Sequence, residues 1–444
     1  MRYSCRKGVL YAGLGGIILF FLACSALAEE ELLLQPGKPL NLEQCLAIAL
    51  KYHPNLRVSL AAVEASKARV EQALANYYPQ VSFNTAYTSS TYNVFGAGPF
   101  LFGKTYNWAF YDFFAIGPTL TQTIYDFGRT PNTVKINQEN TKASEQDLIS
   151  TKQTVVLNVK QAYFGLIQAH RIAKVAEDTV KQIQQHLDQA KAFYRAGTVP
   201  EIDVTQAEVD LANAELALIR ARNGLKVAQV TLNNAMGLSE SLNFPIEDTL
   251  EFKKLPITLQ EILQGAYEQR PEILQLKARQ VSQEATVKVA QASYYPVLSG
   301  NASYLYRGIQ ANSLFWDVTI GATLSVPIFS GFSSPNQVAE ARANLRNLKA
   351  QEEATRQNIR LEGEQAYLSL KEAEEGVRVT EKALEQAWKK YNLATGRYRV
   401  GVGSPLEVTD AEVSLANARV NYIQSLVGYK IAEAKIEKAM GLVR

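Results

Sequence analysis

Apolar side chains recur in alternating steps of three and four residues along two adjacent stretches of the chain. The first stretch covers residues 132–195, where Gly165 is the only glycine and no proline occurs. Its apolar positions are Val155, Val159, Ala162, Leu166, Ala169, Ala173, Ala176, Val180, Ile183, Leu187 and Ala190. The second continues with Val204, Ala207, Leu211, Ala214, Leu218, Ala221, Leu225, Ala228, Leu232 and Ala235. This heptad spacing predicts coiled-coil helices, and the alternation of Ala with larger residues suits close antiparallel packing.

The first of these helices would be unusually long. Its 64 residues, at ~1.5 Å rise per residue, reach about 100 Å. A compact helical bundle is the plainer interpretation of a heptad pattern, but helices of this length would overshoot a compact core. The pattern therefore favours extended, antiparallel coiled-coil helices.

Four other segments alternate apolar and polar residues, which predicts β-strands. We place them at about 80–92, 113–125, 297–307 and 315–327. The third has Leu298, Gly300, Ala302, Tyr304 and Tyr306 on one face, and the fourth has Val318, Ile320, Ala322, Leu324 and Val326. Segments of about ten residues match the length of a transmembrane β-strand. Aromatic residues gather toward the loop ends, as in an interfacial girdle, at Tyr87, Tyr92, Tyr106, Trp108, Tyr306 and Trp316.

Alternation alone leaves a soluble β-sandwich open as a second interpretation. Four strands make a poor sandwich, and the smallest membrane barrels need about eight. Lipid also tolerates no open strand edges. If these strands lie in a membrane, several subunits must therefore contribute strands to one barrel.

The whole chain is an internal duplication. Tyr77-Tyr78-Pro79 returns 217 residues later as Tyr294-Tyr295-Pro296, whereas Ala235-Met236-Gly237-Leu238 returns after 204 residues as Ala439-Met440-Gly441-Leu442. The fall in offset places 13 extra residues between 88 and 116 of the first copy. We divide the chain into a leader at 1–28 and two repeats at 29–238 and 239–444. Each reads helix, strand, loop, strand, long helix, turn, long helix.

The two turns between long helices have the residues of tight hairpin tips. They lie at about 194–204 and 398–408. Gly197 and Gly401 can end a helix in the left-handed conformation. Pro200 and Pro405 favour the start of the next helix, which Ser404 can cap in the second copy.

The first 28 residues have the pattern of a secretory signal peptide. Arg2, Arg6 and Lys7 precede an apolar run, and Ala26-Leu27-Ala28 ends in small residues. An uncleaved membrane anchor and lipidation of Cys24 are the alternatives. Cleavage would remove three positive charges and no negative ones, which takes the formal net charge from +3 to zero and leaves Cys45 as the only cysteine. After this segment no apolar run reaches the ~18 residues of a transmembrane helix.

Composition and motifs argue against several classes of function. The 46 Lys and Arg are nearly balanced by 43 Asp and Glu, so the clustered positive charge that nucleic acid requires is missing. His53, His170 and His186 are far apart in the sequence, and no metal-binding pair or phosphate-binding glycine loop accompanies them. We therefore expect no enzyme, no metal site and no cofactor.

Taken together, these features resemble the TolC-like outer membrane efflux protein family over essentially the whole mature chain. The resemblance rests on the duplication, on Tyr-Tyr-Pro before each strand pair, and on the paired tips. Each tip reads aromatic-x-x-Gly from Tyr194 or Tyr398, followed by an acid before Val at Asp203 and Glu407. It implies a homotrimer in the outer membrane lipid, whose four strands per subunit form a twelve-stranded transmembrane β-barrel above a periplasmic α-helical barrel.

The resemblance also implies a gate and a docking surface at the tips. Asp203 and Tyr398 match partners whose hydrogen bond helps to hold the tips closed, and Glu407 and Asp410 match an acidic ring at the periplasmic entrance. Gly403 stands where the family often has an Arg that bridges to the neighbouring subunit, so other contacts may be needed for closure. The residues similar to the docking surface for a periplasmic adaptor are Gly197, Thr198, Val199, Gly401, Val402 and Gly403.

The expected function is a passive exit duct of an efflux or type I secretion system. The energy would come from an inner-membrane pump of RND, ABC or MFS type, reached through the adaptor. The alternative is a periplasmic coiled-coil adaptor or structural protein without a channel. Adaptors usually have one long hairpin beside a lipoyl-like domain, whereas this chain has two hairpins, each with a strand pair. The pattern does not identify the cargo.

Overall fold

The computed structural model describes residues 39–90, 110–239 and 244–442. The first repeat contains α1 (Leu42–Tyr52), α2 (Pro54–Leu74), a 3-10 turn (Ala75–Tyr77), β1 (Gln80–Ser90), β2 (Tyr111–Tyr125), α3 (Arg129–Arg195) and α4 (Glu201–Met236). The second contains α5 (Leu259–Gln269), α6 (Pro271–Ala292), β3 (Val297–Gln310), β4 (Ser313–Ser325), α7 (Ser333–Arg399) and α8 (Pro405–Ala439). The signal peptide, Cys24, Tyr92, Tyr106 and Trp108 lie outside the described residues.

The duplication predicted from the sequence is confirmed, and its two copies agree closely. The helices α3 and α7 both have 67 residues and begin 204 residues apart. The short helices α1 and α5 both begin with a capping box, formed by Asn41 with Gln44 and by Thr258 with Glu261. Such a box satisfies backbone N–H groups at a helix start that would otherwise have no partner. The repeat is therefore one of local hydrogen bonding as well as of sequence.

Residue contacts divide the described chain into two compact units. The sheet unit comprises Ser59–Leu148 and Pro271–Arg356, and it contains all four described strands. The tip unit comprises the residues up to Val58, Ile149–Arg270, and the chain from Gln357 onward. Across the described residues, no helix combines the length and hydropathy needed to span a membrane.

The sheet unit contains one antiparallel sheet in the order β1-β2-β3-β4. Its register assigns each residue to a face. Leu120 in β2 pairs with Val81 in β1 and Ala302 in β3, and Ala302 pairs with Ile320 in β4. The apolar positions of all four strands therefore share one face, as the alternation predicted. Ile320 on this face is 81% exposed.

The opposite face of the sheet is polar. Ser82 and Asn84 of β1 both hydrogen-bond Thr119 of β2 at 2.8 Å. Arg307 of β3 forms an ion pair with Asp317 of β4 at 3.0 Å. The two outermost strands, β1 and β4, have no further strand partner among the described residues. The sheet thus has an exposed apolar face, a hydrogen-bonded polar face and two open edges.

The tip unit is held together by the heptad positions that the sequence indicated. Leu187 and Ala190 of α3 pack against Ala207 of α4, and Ala394 of α7 packs with Val408 and Ala411 of α8. We call each of these contacts a hairpin seam. Farther from the tips, Tyr163 of α3 is fully buried and its hydroxyl donates to the carbonyl of Glu247 at 2.7 Å.

Two glycines after the return helices fix close approaches inside the tip unit. Gly237, after α4, has a φ of 76°, and a Cβ added there would lie 2.7 Å from the Cα of His53. Gly441, after α8, has a φ of 82°, and a Cβ added there would lie 2.9 Å from the backbone carbon of Gln269. Both glycines therefore meet both needs that only glycine satisfies, a left-handed backbone and an absent side chain.

We expect Gly237→Ala to destabilise the protein more than Gly197→Ala, which serves as the matched control. Gly197 has a similar φ of 74°, but nothing lies within 4 Å of its added Cβ. The control should cost about 1–2 kcal/mol for the left-handed backbone, and Gly237→Ala about 1–3 kcal/mol more for the collision. Thermal unfolding followed by circular dichroism at 222 nm measures the difference. Equal midpoints would contradict this packing.

Candidate functional site

The two hairpin tips turn by the same backbone device. At the first, the N–H of Thr198 donates to the carbonyl of Phe193 at 3.0 Å and that of Gly197 to Tyr194 at 2.9 Å. At the second, Val402 donates to Arg397 at 3.1 Å and Gly401 to Tyr398 at 3.0 Å. These are Schellman motifs, in which a left-handed glycine ends the helix. The sequence had placed Gly197 and Gly401 in this role.

The tip surface exposes small and aliphatic residues to solvent. Gly197, Thr198, Gly401 and Val402 are exposed, while Val199 and Gly403 are partly buried. Ile202 and Leu406, which occupy equivalent positions in the two repeats, are also exposed. The helix α8 starts with Ser404 as its cap, whose Oγ accepts from the N–H of Leu406 at 3.2 Å. The tips therefore present a rigid, largely uncharged surface.

At Gly403 the backbone leaves no room for a side chain. A Cβ added there would lie 2.8 Å from the backbone nitrogen of Tyr398. The second tip has a different arginine, Arg397, near the end of α7. Its Nε lies 3.4 Å from Oε2 of Glu407, and its Nη2 donates to the carbonyl of Val402 at 3.4 Å. Arg397 thus connects the end of α7 to the start of α8 within one chain.

The predicted entrance acids lie on the exposed side of α8. Glu407 and Asp410 are three residues apart, which places them one turn apart on the same helix face, and both are exposed. Glu407 is paired with Arg397, whereas the backbone carbonyl of Asp410 accepts from Lys390 at 3.5 Å. Their role in a ring stays a prediction, because such a ring would need other copies of the chain.

Tyr398 lies in the centre of the second hairpin seam. Its ring is 4% exposed and packs against His186 and Phe193 of α3, with centroid distances of 5.2 and 5.6 Å. Its hydroxyl is buried and has no hydrogen-bond partner among the described residues. Tyr398 therefore joins the two hairpins through its ring and not through its oxygen.

Asp203 lies close enough to act on Tyr398 electrostatically. Burial, followed by the negative charge of Asp203, raises the pKa of Tyr398. The same aspartate opposes the lowering of the His186 pKa that burial causes. The predicted hydrogen bond between Asp203 and Tyr398 is not formed in this arrangement, and for the closed gate it stays a prediction.

Sequence reasoning missed the most unusual ionisable group in this region. Glu412 of α8 is 5% exposed, and burial, followed by the charge of Asp210 in α4, raises its pKa to about 7. Thr409 donates to Oδ2 of Asp210 at 3.3 Å across the two hairpins. A sequence signal existed, because Glu412 is four residues after Val408 and three before Leu415, and so shares their apolar face. We call the group His186, Asp203, Asp210, Tyr398, Thr409 and Glu412 the tip junction.

Nothing in this geometry points to catalysis. Among the residues that the structure describes, no three His, Cys, Asp or Glu side chains are grouped as a metal site requires. What the fold offers instead is two long hairpins and an antiparallel strand pair in each repeat, with an exposed apolar face on the sheet. This combination defines the class of outer membrane efflux channels.

Comparison with known proteins gives the same assignment. The family described as outer membrane efflux protein matches residues 46–238 and 262–442, one segment in each repeat. The chain belongs to this family. It is an outer membrane efflux channel of the type that includes TolC and CusC, and not an enzyme. This excludes the alternative of a coiled-coil protein without a channel.

Individual relatives are distant but similar over most of their length. The outer membrane efflux protein BepC of Brucella suis biovar 1 is 22% identical over 95% of this chain and 91% of its own. TolC of Escherichia coli K12 is 22% identical over 90% and 82%, respectively. The crystal structure of CusC, a cation efflux system protein of Escherichia coli, has a TM-score of 0.78 at 21% identity, and covers 90% of this chain and 92% of CusC.

Replacing Tyr398 with Phe should leave stability unchanged or raise it by up to about 1 kcal/mol, because the lost hydroxyl is buried without a partner. Tyr163→Phe is the matched control. It removes a buried hydroxyl that donates at 2.7 Å and should cost about 1 kcal/mol. Chemical denaturation of the two variants beside the native protein measures both. An equal loss for Tyr398→Phe would show that its hydroxyl is bonded in the assembled protein.

Proposed function

We propose that three copies of this chain form one exit duct, with their twelve strands closed into a single barrel. The observation that carries this proposal is the sheet, which has an exposed apolar face and two open edges. Lipid cannot satisfy the N–H and C=O groups of an open edge. Four strands are also too few to close a barrel alone. Pairing β4 of one chain with β1 of the next removes every edge.

In this arrangement the two faces of the sheet have different surroundings. The apolar face, which includes Val81 and Ile320, faces the lipid. The polar face, with Ser82, Asn84 and the Arg307–Asp317 pair, lines a wet lumen. Alternation of lipid-facing and lumen-facing residues is the usual pattern of an outer membrane barrel.

A charge on the apolar face should therefore be harmful where its neighbour tolerates one. We expect Ile320→Lys to cost about 2–4 kcal/mol in lipid and to lower the yield of heat-modifiable trimers in the outer membrane fraction. Thr319→Lys places the same charge one residue away on the polar face, and should assemble normally. If both variants assemble equally well, the assignment of the faces is wrong.

The tips are the periplasmic end of the duct in this proposal. Gly197, Thr198, Val199, Gly401, Val402 and Gly403 form the surface on which a periplasmic adaptor docks, since their small side chains let another helical tip approach closely. Asp203 and Tyr398 take part in closing the gate. Crosslinking from cysteines at Thr198 and Val402, followed by identification of the captured protein, tests the docking surface.

Glu407 and Asp410 form the entrance ring. A three-fold axis would bring six of these carboxylates around one aperture, which attracts cations. We expect Glu407→Ala with Asp410→Ala to weaken the block by multivalent cations at least several-fold in planar bilayers. Glu364→Ala with Glu375→Ala is the control, because it removes the same charge from ion-paired positions on the surface of α7. Unchanged block in the tip variant would reject the ring.

The duct is passive and an inner-membrane pump, reached through the adaptor, supplies the energy and selects the cargo. Relatives at similar distance support this division. CusC is named for cation efflux and is 23% identical to this chain, and TtgC of Pseudomonas putida is named for toluene efflux and is 24% identical. Channels for such different cargoes share this fold. Co-purification after tip crosslinking would identify the pump.

A further inference from the structure

Glu412 is an acid that the channel architecture does not explain. Its side chain points into the tip unit from α8, between the buried residues Ala411 and Leu415 of the same helix face. Among the described residues its carboxylate forms no hydrogen bond and no ion pair. Burying an isolated ionised carboxylate is costly, and a group in this position usually takes up a proton instead.

Across from Glu412 lies a second carboxylate, Asp210 of α4. Asp210 is held by two donors, Nε2 of Gln206 at 3.0 Å from its own helix and the hydroxyl of Thr409 at 3.3 Å from α8. Asp210 therefore belongs to the first hairpin but is bonded to the second. Its charge acts directly on Glu412, and two neighbouring carboxylates in a buried site do not both ionise readily.

No cation compensates this pair. From α7, Lys390 donates to Ser414 at 3.0 Å, and Tyr391 lies close enough to Glu412 to feel its charge. Arg419 of α8 lies over the ring of Trp388 at 4.6 Å. From α3, His186 is buried, and burial lowers its pKa, which favours the neutral ring. The remaining acid, Asp203, only adds negative charge. The four helices thus enclose an acidic pair that a single proton would neutralise.

We propose that Glu412 and Asp210 bind one proton between them, and that this proton joins the two hairpins of the chain at their tips. While the proton is bound, the hairpins stay packed through Thr409, Tyr398 and His186. When it leaves, two carboxylates repel each other inside the contact and the hairpins separate. The second step rests on the proposed gate at the tips, whereas the first does not.

The direction of the pH effect follows from linkage. Burial and the Asp210 charge raise the pKa of Glu412 from an ordinary value of 4.5 to about 7. In separated hairpins water would reach Glu412 and its pKa would fall back toward the ordinary value. The packed state therefore binds the proton more tightly. Its stability is complete below about pH 4.5 and is lost as the pH rises to about 7, by up to about tenfold in the equilibrium constant per pH unit.

Infrared titration of the full-length protein in lipid nanodiscs tests the first step. We expect a protonated carboxyl band with a midpoint near pH 7 that is absent from Glu412→Gln. Glu208→Gln is the matched control, because Glu208 is exposed, pairs with Lys191 at 2.9 Å, and occupies the equivalent position in the first repeat. That variant and His186→Gln should keep the band, and Asp210→Asn should move its midpoint to lower pH. A band that survives in Glu412→Gln would overturn the proton site.

Spin labels test the second step. They are placed at Thr198→Cys and Val402→Cys in a Cys45→Ala background, with labelled chains diluted among unlabelled ones. The separated fraction should rise from pH 5 to pH 8 in the native sequence and in Glu208→Gln. In Glu412→Gln, which mimics the protonated acid, it should stay at its low-pH value. If Glu412→Gln follows the native curve, or if no distance changes with pH, the latch is overturned. Bilayer conductance of the same samples shows separately whether the chain forms a channel.

Discussion

Close packing along the Ala-rich hairpin seams is the interaction on which the tip unit depends. Ala190 meets Ala207 in one seam, and Ala394 meets Ala411 in the other, at positions related by the repeat. An Ala side chain lets two helix backbones approach closely, and heptad spacing keeps the contact continuous along the helix. Isolated helices are stabilised mainly by such packing rather than by helix propensity. The seams therefore fix the hairpins, the hairpins fix the tips, and the tips determine which residues of one hairpin meet the other.

The two repeats have matching backbones but differ in the burial of their tip side chains. Tyr398 is 4% exposed, whereas its equivalent Tyr194 is 45% exposed. Likewise Glu412 is buried and its equivalent Glu208 is exposed. Equivalent positions cannot all face inward when two hairpins pack side by side, because each hairpin turns a different flank to the other. A duplicated sequence thus gives an asymmetric contact, and the acids that are harmless on one hairpin become strained in the contact on the other.

Periodicity predicted the elements of this fold but not their mutual contacts. Alternation placed the strands within a few residues, and the register confirms which side chains share the apolar face. The seam, the tip glycines and the repeat were likewise readable, because each is a local pattern. The pairing of Thr409 with Asp210 was not, since it joins residues 199 apart in sequence and depends on how two helices face each other. The burial of Glu412 was half readable, from the apolar neighbours at helical spacing, but its meeting with Asp210 was not.

The tip junction also departs from the rule that natural contacts satisfy their polar groups. The Tyr398 hydroxyl is buried without a partner and Glu412 is a buried acid without a cation, and each such group lowers the stability of the contact that encloses it. Elsewhere in the tip unit comparable groups are satisfied, as the hydroxyl of Tyr429 is by the carbonyl of Lys253 at 2.9 Å. Local opening occurs first where stability is lowest. A contact weakened at the tips, between hairpins whose own seams are apolar and well packed, would therefore open between the hairpins and leave each hairpin intact. Such a distribution of stability is what a duct requires if it must part at one end without unfolding.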